Sequence, residues 1–201
     1  WAGYNNTTGV ANSFYGWRAG FSSATANDNA LFGYDAGYNT TNGENAFFGS
    51  YAGRSNTTGN QNTFIGRLAG YANTTGVVNT AVGFQAGYSN TVGYNNTSIG
   101  FMAAKNNVSG NYNTSLGYNT GNGGTAYSNA TAVGTDAAPS ASDMVRVGNV
   151  YVSSIGGQVG WTTLSDGRFK EQVQENVPGL SFINQLRAVT YRVNRDKISA
   201  Y

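Results

Sequence analysis

The chain has 201 residues, 39% of them hydrophobic and only 10% charged, against roughly 25% charged in an ordinary globular domain. With 11 basic and 9 acidic residues and a net charge of +2, it carries no global field that would recruit nucleic acid or anionic lipid. The lack of cysteine and histidine excludes disulfides, thiolate and imidazole metal sites, cysteine nucleophiles and every Ser-His triad, and no metal or cofactor is expected.

No apolar run approaches the ~18 residues of a membrane span, so direct insertion is not expected. The chain opens at Trp1 without an initiator Met and no signal peptide is legible, which reads as a piece of something longer.

From Trp1 onward the chain is a repeat. Gly16, Gly33, Gly49, Gly66, Gly83, Gly100, Gly117 and Gly134 follow one another at 17 residues, with one step of 16. Each closes a cell such as Asn62-Thr63-Phe64-Ile65-Gly66, and Ala-Gly pairs come three residues later at Ala19-Gly20, Ala36-Gly37, Ala52-Gly53, Ala69-Gly70 and Ala86-Gly87. Turn cassettes lie between cells, as in Asn56-Thr57-Thr58-Gly59 and Asn73-Thr74-Thr75-Gly76. A unit this short, with glycine at fixed offsets, leaves no 3.6-residue apolar period. It predicts an all-β chain, a β-solenoid or β-roll of about eight coils, each with room for two short strands and two turns.

Within a cell the residue after Asn is small (Ser13, Ala30, Ala46, Thr63) and the third is large and apolar (Tyr15, Phe32, Phe48, Ile65). Period-2 alternation puts these on one face, taken as the inside. The residue between them then faces out, and there Phe14, Leu31, Phe47 and Phe64 precede Ala81, Ser98 and Ser115. An outward apolar row marks a contact surface, and so narrow a coil buries little by itself, which together predict a subunit interface.

Over residues 1–138 the Asn-Thr-x-x-Gly cells and Asn-Thr-Thr-Gly turns resemble the YadA-like head of trimeric adhesins. The resemblance implies a left-handed parallel β-roll assembled as a homotrimer, with Phe14, Leu31, Phe47 and Phe64 as trimer-facing candidates. The repeat length differs from that of the shortest adhesin heads, so coil dimensions do not carry over.

After Pro139 the period stops. Residues 139–164 read as a β neck: Asp143-Met-Val-Arg-Val-Gly-Asn-Val-Tyr-Val alternates as one or two strands. In residues 165–201, Pro178 stands where a helix would open, Leu180, Ile183 and Leu186 recur at i, i+3 and i+6, and a Val189, Tyr191, Val193 alternation follows, so a short α/β segment is expected.

This last segment begins with Ser165-Asp166-Gly167-Arg168-Phe169-Lys170, and Leu186-Arg187-Ala188-Val189-Thr190-Tyr191 follows. Together they resemble the start of the endosialidase-type intramolecular chaperone, a C-terminal domain of phage tail fibres and related surface fibres that aids trimerisation and then cuts itself off. The resemblance implies a Ser165–Lys170 catalytic dyad and cleavage between Leu164 and Ser165. It makes the chain, at most, a single-turnover self-cleaving serine endopeptidase. With no histidine in the chain, lysine is the base left to take a serine proton, and it serves only when neutral. Lys170 would then need a pKa depressed by burial or by neighbouring positive charge such as Arg168. Asp166 either orients groups or restrains Arg168.

The function these resemblances imply is a trimeric extracellular fibre, on a bacterial surface or in a phage or injection-system tail fibre, that attaches to a cell-surface glycan or protein receptor. Trp17, Tyr34 and Tyr38 could stack on sugars or pack between coils. A shaft with no ligand is the alternative. An ice-binding solenoid needs a flat Thr-rich strand face, whereas the Asn-Thr-Thr cassettes read as turns and the strand threonines as interior. Calcium-binding rolls repeat an Asp at a fixed offset, which Asp28, Asp35 and Asp136 do not.

Overall fold

The computed structural model describes residues 1–157. Nine strands of three residues each form one parallel sheet in strictly sequential order. They are β1 Ser13–Tyr15, β2 Ala30–Phe32, β3 Ala46–Phe48, β4 Thr63–Ile65, β5 Thr80–Val82, β6 Thr97–Ile99, β7 Thr114–Leu116, β8 Thr131–Val133 and β9 Val145–Val147. Every strand pairs with the equivalent residues of the next, so Phe47 lies beside Phe64 and Phe64 beside Ala81. The described chain is a β-solenoid of about eight turns.

Each coil has one strand rather than the expected two. The rest of the circuit is turn, yet it is bonded from coil to coil nearly as regularly as the sheet. Gly20, Gly37, Gly53, Gly70 and Gly87 donate their N–H groups to Ala36, Ala52, Ala69, Ala86 and Ala103 at 2.9–3.0 Å. Thr57 donates to Thr74 and Thr74 to Thr91, at 2.9 and 2.8 Å. Backbone groups in the turns are thereby satisfied by the neighbouring coil.

The sheet also continues past the expected end of the roll. β9 pairs with β8 in register, Thr131 beside Val145, although the step between them is 14 residues rather than 17. Shortening the turn breaks the sequence period without breaking the ladder. The expected neck therefore contributes its strand to the solenoid, and Trp1–Tyr151 form one compact unit.

The faces are the reverse of those expected. The middle residue of each strand points inward: Leu31 and Phe47 are 0% exposed, Phe64 2%, and Ala81, Ser98, Ser115 and Ala132 are likewise buried. The alanines of the Ala-Gly pairs form the opposing wall, with Ala19, Ala36, Ala52, Ala69 and Ala86 fully buried. A coil this narrow admits one large side chain per turn. Phe47 and Phe64 fit by stacking, with ring centroids 4.8 Å apart and planes within 9°.

Two glycine columns make this possible. Gly66 has φ +126, and a Cβ there would stand 2.6 Å from the carbonyl oxygen of Gly83 one coil on. Gly70 has φ +57, and a Cβ there would stand 2.4–2.6 Å from carbons of the Phe64 ring. Where the inward residue shrinks to Ser98, the position equivalent to Gly70 is Ala104, at φ 48. Every large inward residue thus faces a glycine, although the small Ala81 and Ser115 also do, at Gly87 and Gly121.

Gly70→Ala is predicted to lower stability by about 2–4 kcal/mol, combining left-handed strain with overpacking against Phe64. Gly87→Ala faces only the Cβ of Ala81, at 3.3 Å, and should cost about 1–2 kcal/mol from strain alone. Urea unfolding of the two variants side by side checks the difference.

Candidate functional site

With the faces reversed, the four expected interface residues change role. Leu31, Phe47 and Phe64 belong to the interior, and Phe14 is packed against that core at its first turn. Leu31, Phe47 and Phe64 are not available to a second chain, and Phe14 is partly buried. The outward row is the third strand residue: Tyr15, Phe32, Phe48, Ile65, Val82, Ile99, Leu116, Val133 and Val147. Phe48, Ile65 and Ile99 are 40%, 41% and 42% exposed. Beside it runs the first strand residue, also outward, as Thr63, Thr80, Thr97, Thr114 and Thr131 in five successive coils.

At about 4.8 Å per strand, nine strands make this face on the order of 40 Å long. It is regular in register, and its third-residue column is apolar along the whole length. Aromatic rings stack within it, Phe32 on Phe48 at 4.9 Å and 7°. Monomeric proteins seldom leave so continuous an apolar surface in water.

A second cluster sits in the turns that follow the strands. Asp35, whose side chain is 1% exposed, accepts two hydrogen bonds from Arg18 at 2.8 Å each and one from Arg54 at 3.3 Å. Three consecutive coils are tied together by this Arg–Asp–Arg bridge. Tyr38 lies between the two guanidinium groups, with Arg18 4.8 Å and Arg54 5.4 Å from its ring centroid. Hydrogen bonding to Asp35 raises the Arg18 pKa above its ordinary value. At Arg54 partial burial works against the charge, but hydrogen bonds to Asp35 and Tyr71 outweigh it and the pKa is again raised. Sequence reading missed this cluster; Arg18 and Asp35 are 17 residues apart, one coil in the repeat, which was the available signal.

The expected catalytic and cleavage residues Leu164, Ser165, Asp166, Arg168 and Lys170 lie outside the described residues, as do the helical and strand patterns expected after Pro178. Among the described residues no group of His, Cys, Asp and Glu is placed to hold a metal ion.

A scan against models of known protein families and searches of curated proteins and of solved structures find no match to this chain.

The inverted faces give a direct comparison between neighbours. Phe64→Ala should cost about 3–5 kcal/mol by emptying the coil. Ile65→Ala, one residue on, should cost under about 1 kcal/mol in dilute protein. If the outer face is an interface, the Ile65 effect grows with protein concentration while the Phe64 effect does not. Denaturation curves at two concentrations measure both.

Proposed function

We propose that the chain is part of an extracellular fibre in which three copies pack through the outer sheet face, and that the fibre serves attachment to a surface. The observation that carries this reading is the unbroken outward apolar column from Tyr15 to Val147. Burying one such column against its equivalents removes apolar surface from water at about 25 cal/mol per Å². A homotrimer with its axis along the solenoid would cover the column over its whole length, and a cyclic arrangement leaves no open contact to propagate laterally. Multiplying a weak receptor contact by three raises its effective strength.

Self-association is tested by light scattering on the wild type and on Ile65→Lys/Ile99→Lys. The wild type should weigh three chains. The double variant should weigh one, with an unchanged circular dichroism spectrum, because both side chains point away from the coil. A monomeric wild type contradicts the reading.

The segment from Ser165 supports a further part of the proposal, a C-terminal folding aid that removes itself once the trimer has formed. Ser165 would attack the carbonyl of Leu164, with Lys170 taking the hydroxyl proton. The acyl group moves from the Ser165 nitrogen to its oxygen, and water then cleaves the ester, leaving a carboxylate on Leu164. Denaturing mass measurement should show cleavage between Leu164 and Ser165 in the wild type and none in Ser165→Ala. An intact wild type contradicts this step.

One observation favours a second reading of the same face. Thr63, Thr80, Thr97, Thr114 and Thr131 line up in register on the outer surface, not inside as expected. That is the arrangement an ice-binding solenoid needs. The fibre reading predicts no thermal hysteresis; a freezing-point gap that disappears in Thr97→Lys would favour ice.

A further inference from the structure

The small net charge conceals an uneven distribution across the coil. Asp28 and Glu44 stand in the turn leading into the strands, both exposed. The turn leaving the strands carries Arg18, Arg54, Arg67 and Lys105, with Asp35 bonded to Arg18 and Arg54 and Asp136 at the equivalent place after β8. Two of the four cations thus share one counter-charge, and Arg67 and Lys105 lie outside their network.

These cations are interleaved with a ring column. One side chain per coil gives Phe21, Tyr38, Arg54, Tyr71, Tyr88 and Lys105 in succession. Phe21 stacks on Tyr38 at 5.1 Å and 6°, and Tyr71 on Tyr88 at 5.2 Å and 5°. Arg54 fills the gap between the two pairs, its guanidinium over Tyr38. Because the ring faces between Phe21 and Tyr38 and between Tyr71 and Tyr88 are occupied by their partners, the groups left to meet a ligand there are mainly phenol edges and hydroxyls. The N–H groups of Arg54 that Asp35 and Tyr71 do not use and the Lys105 ammonium complete the set.

We propose that this column is a binding track for a carboxylate-bearing polysaccharide lying along the solenoid axis. The cations pair with carboxylates, and the tyrosine hydroxyls exchange hydrogen bonds with sugar hydroxyls between them. The track spans six coils, on the order of 25 Å, and the cavities among the described residues lie elsewhere, inside the coil around Ser98 and Ser115. An extended polymer fits a shallow linear array of this kind, where a small molecule would need a pocket. A single-stranded nucleic acid fits less well, because its bases need free aromatic faces to stack on. Asp35 is a positioning residue: it holds both guanidinium groups at the column and leaves their outer N–H groups free.

This deepens the attachment reading by naming its ligand class, and rests on it for the biological setting alone. Light scattering on the same samples keeps a failure of self-association distinct from a failure of binding.

The test is affinity electrophoresis of the 201-residue chain through gels containing polygalacturonate, dextran or single-stranded oligothymidylate. The track predicts retardation by polygalacturonate at low ionic strength that added salt relieves. It predicts no retardation by dextran and less by oligothymidylate. Arg54→Gln and Lys105→Gln should each weaken retention roughly two- to fivefold, and together about tenfold. Lys105→Gln leaves the Asp35 bridge intact, so its effect is not one of misfolding. Glu44→Gln raises the net charge at the other turn and should leave retention unchanged. Absence of retardation by polygalacturonate, equal retardation by dextran, stronger retardation by oligothymidylate, unaltered binding in the double variant, or a gain in Glu44→Gln would each overturn the proposal.

Discussion

The structure depends on a line of buried asparagines that join coil to coil. Asn29, Asn45, Asn62, Asn79, Asn96 and Asn113 each donate a backbone N–H to the side-chain oxygen of the equivalent asparagine in the previous coil, at 3.0–3.1 Å. The carboxamide nitrogens of Asn62, Asn79 and Asn96 reach the carbonyls of Gly76, Gly93 and Gly110 in the next coil at 2.7–2.9 Å. Each of these residues is therefore bonded to the coil before it through its backbone N–H and to the coil after it through its side chain. A second column closes each turn on itself, Asn56 donating to Gly59 and Asn73 to Gly76 at 2.8 and 3.0 Å. Inside a narrow coil an unpaired amide would cost about 1–3 kcal/mol, so a register slip is penalised at every step.

That polar spine frees the remaining positions. With register held by asparagine and turn geometry by glycine, the inward column can change from Phe47 and Phe64 to Ala81, Ser98 and Ser115 without losing the fold. The solenoid is thus apolar inside over its first coils and small and polar over its later ones. Its outward column stays large throughout, Ile99 and Leu116 being as apolar as Phe48. Nothing in the coil's own packing requires apolar residues there. That contrast is the physical basis for reading the outer face as a contact surface and the charged turn as a separate one.

Much of this was legible in the sequence, since glycines at 17-residue steps leave few architectures for a chain without helical periodicity. The single strand per coil was not legible, because turns bonded to neighbouring coils satisfy their backbone without extended geometry. The faces were misread because both alternating sets are apolar in the first four coils, so periodicity alone could not choose between them. The available signal was a one-way match of volume: every large inward residue is accompanied by a glycine, at Gly20, Gly37, Gly53 and Gly70, and Ala104 stands at that place where the inward Ser98 is small. The Arg18–Asp35–Arg54 bridge was obscured by the sparse charge. Its members look isolated along the chain and adjacent only once the chain is coiled.

The asparagine spine is tested most directly by side-chain amide hydrogen exchange, followed by nuclear magnetic resonance. The carboxamide protons of Asn62, Asn79 and Asn96 should exchange far more slowly than those of exposed Asn5, because they are buried and bonded between coils. Exchange of all four at the same fast rate would contradict the account, since the coils would then lack the interaction that holds them in register.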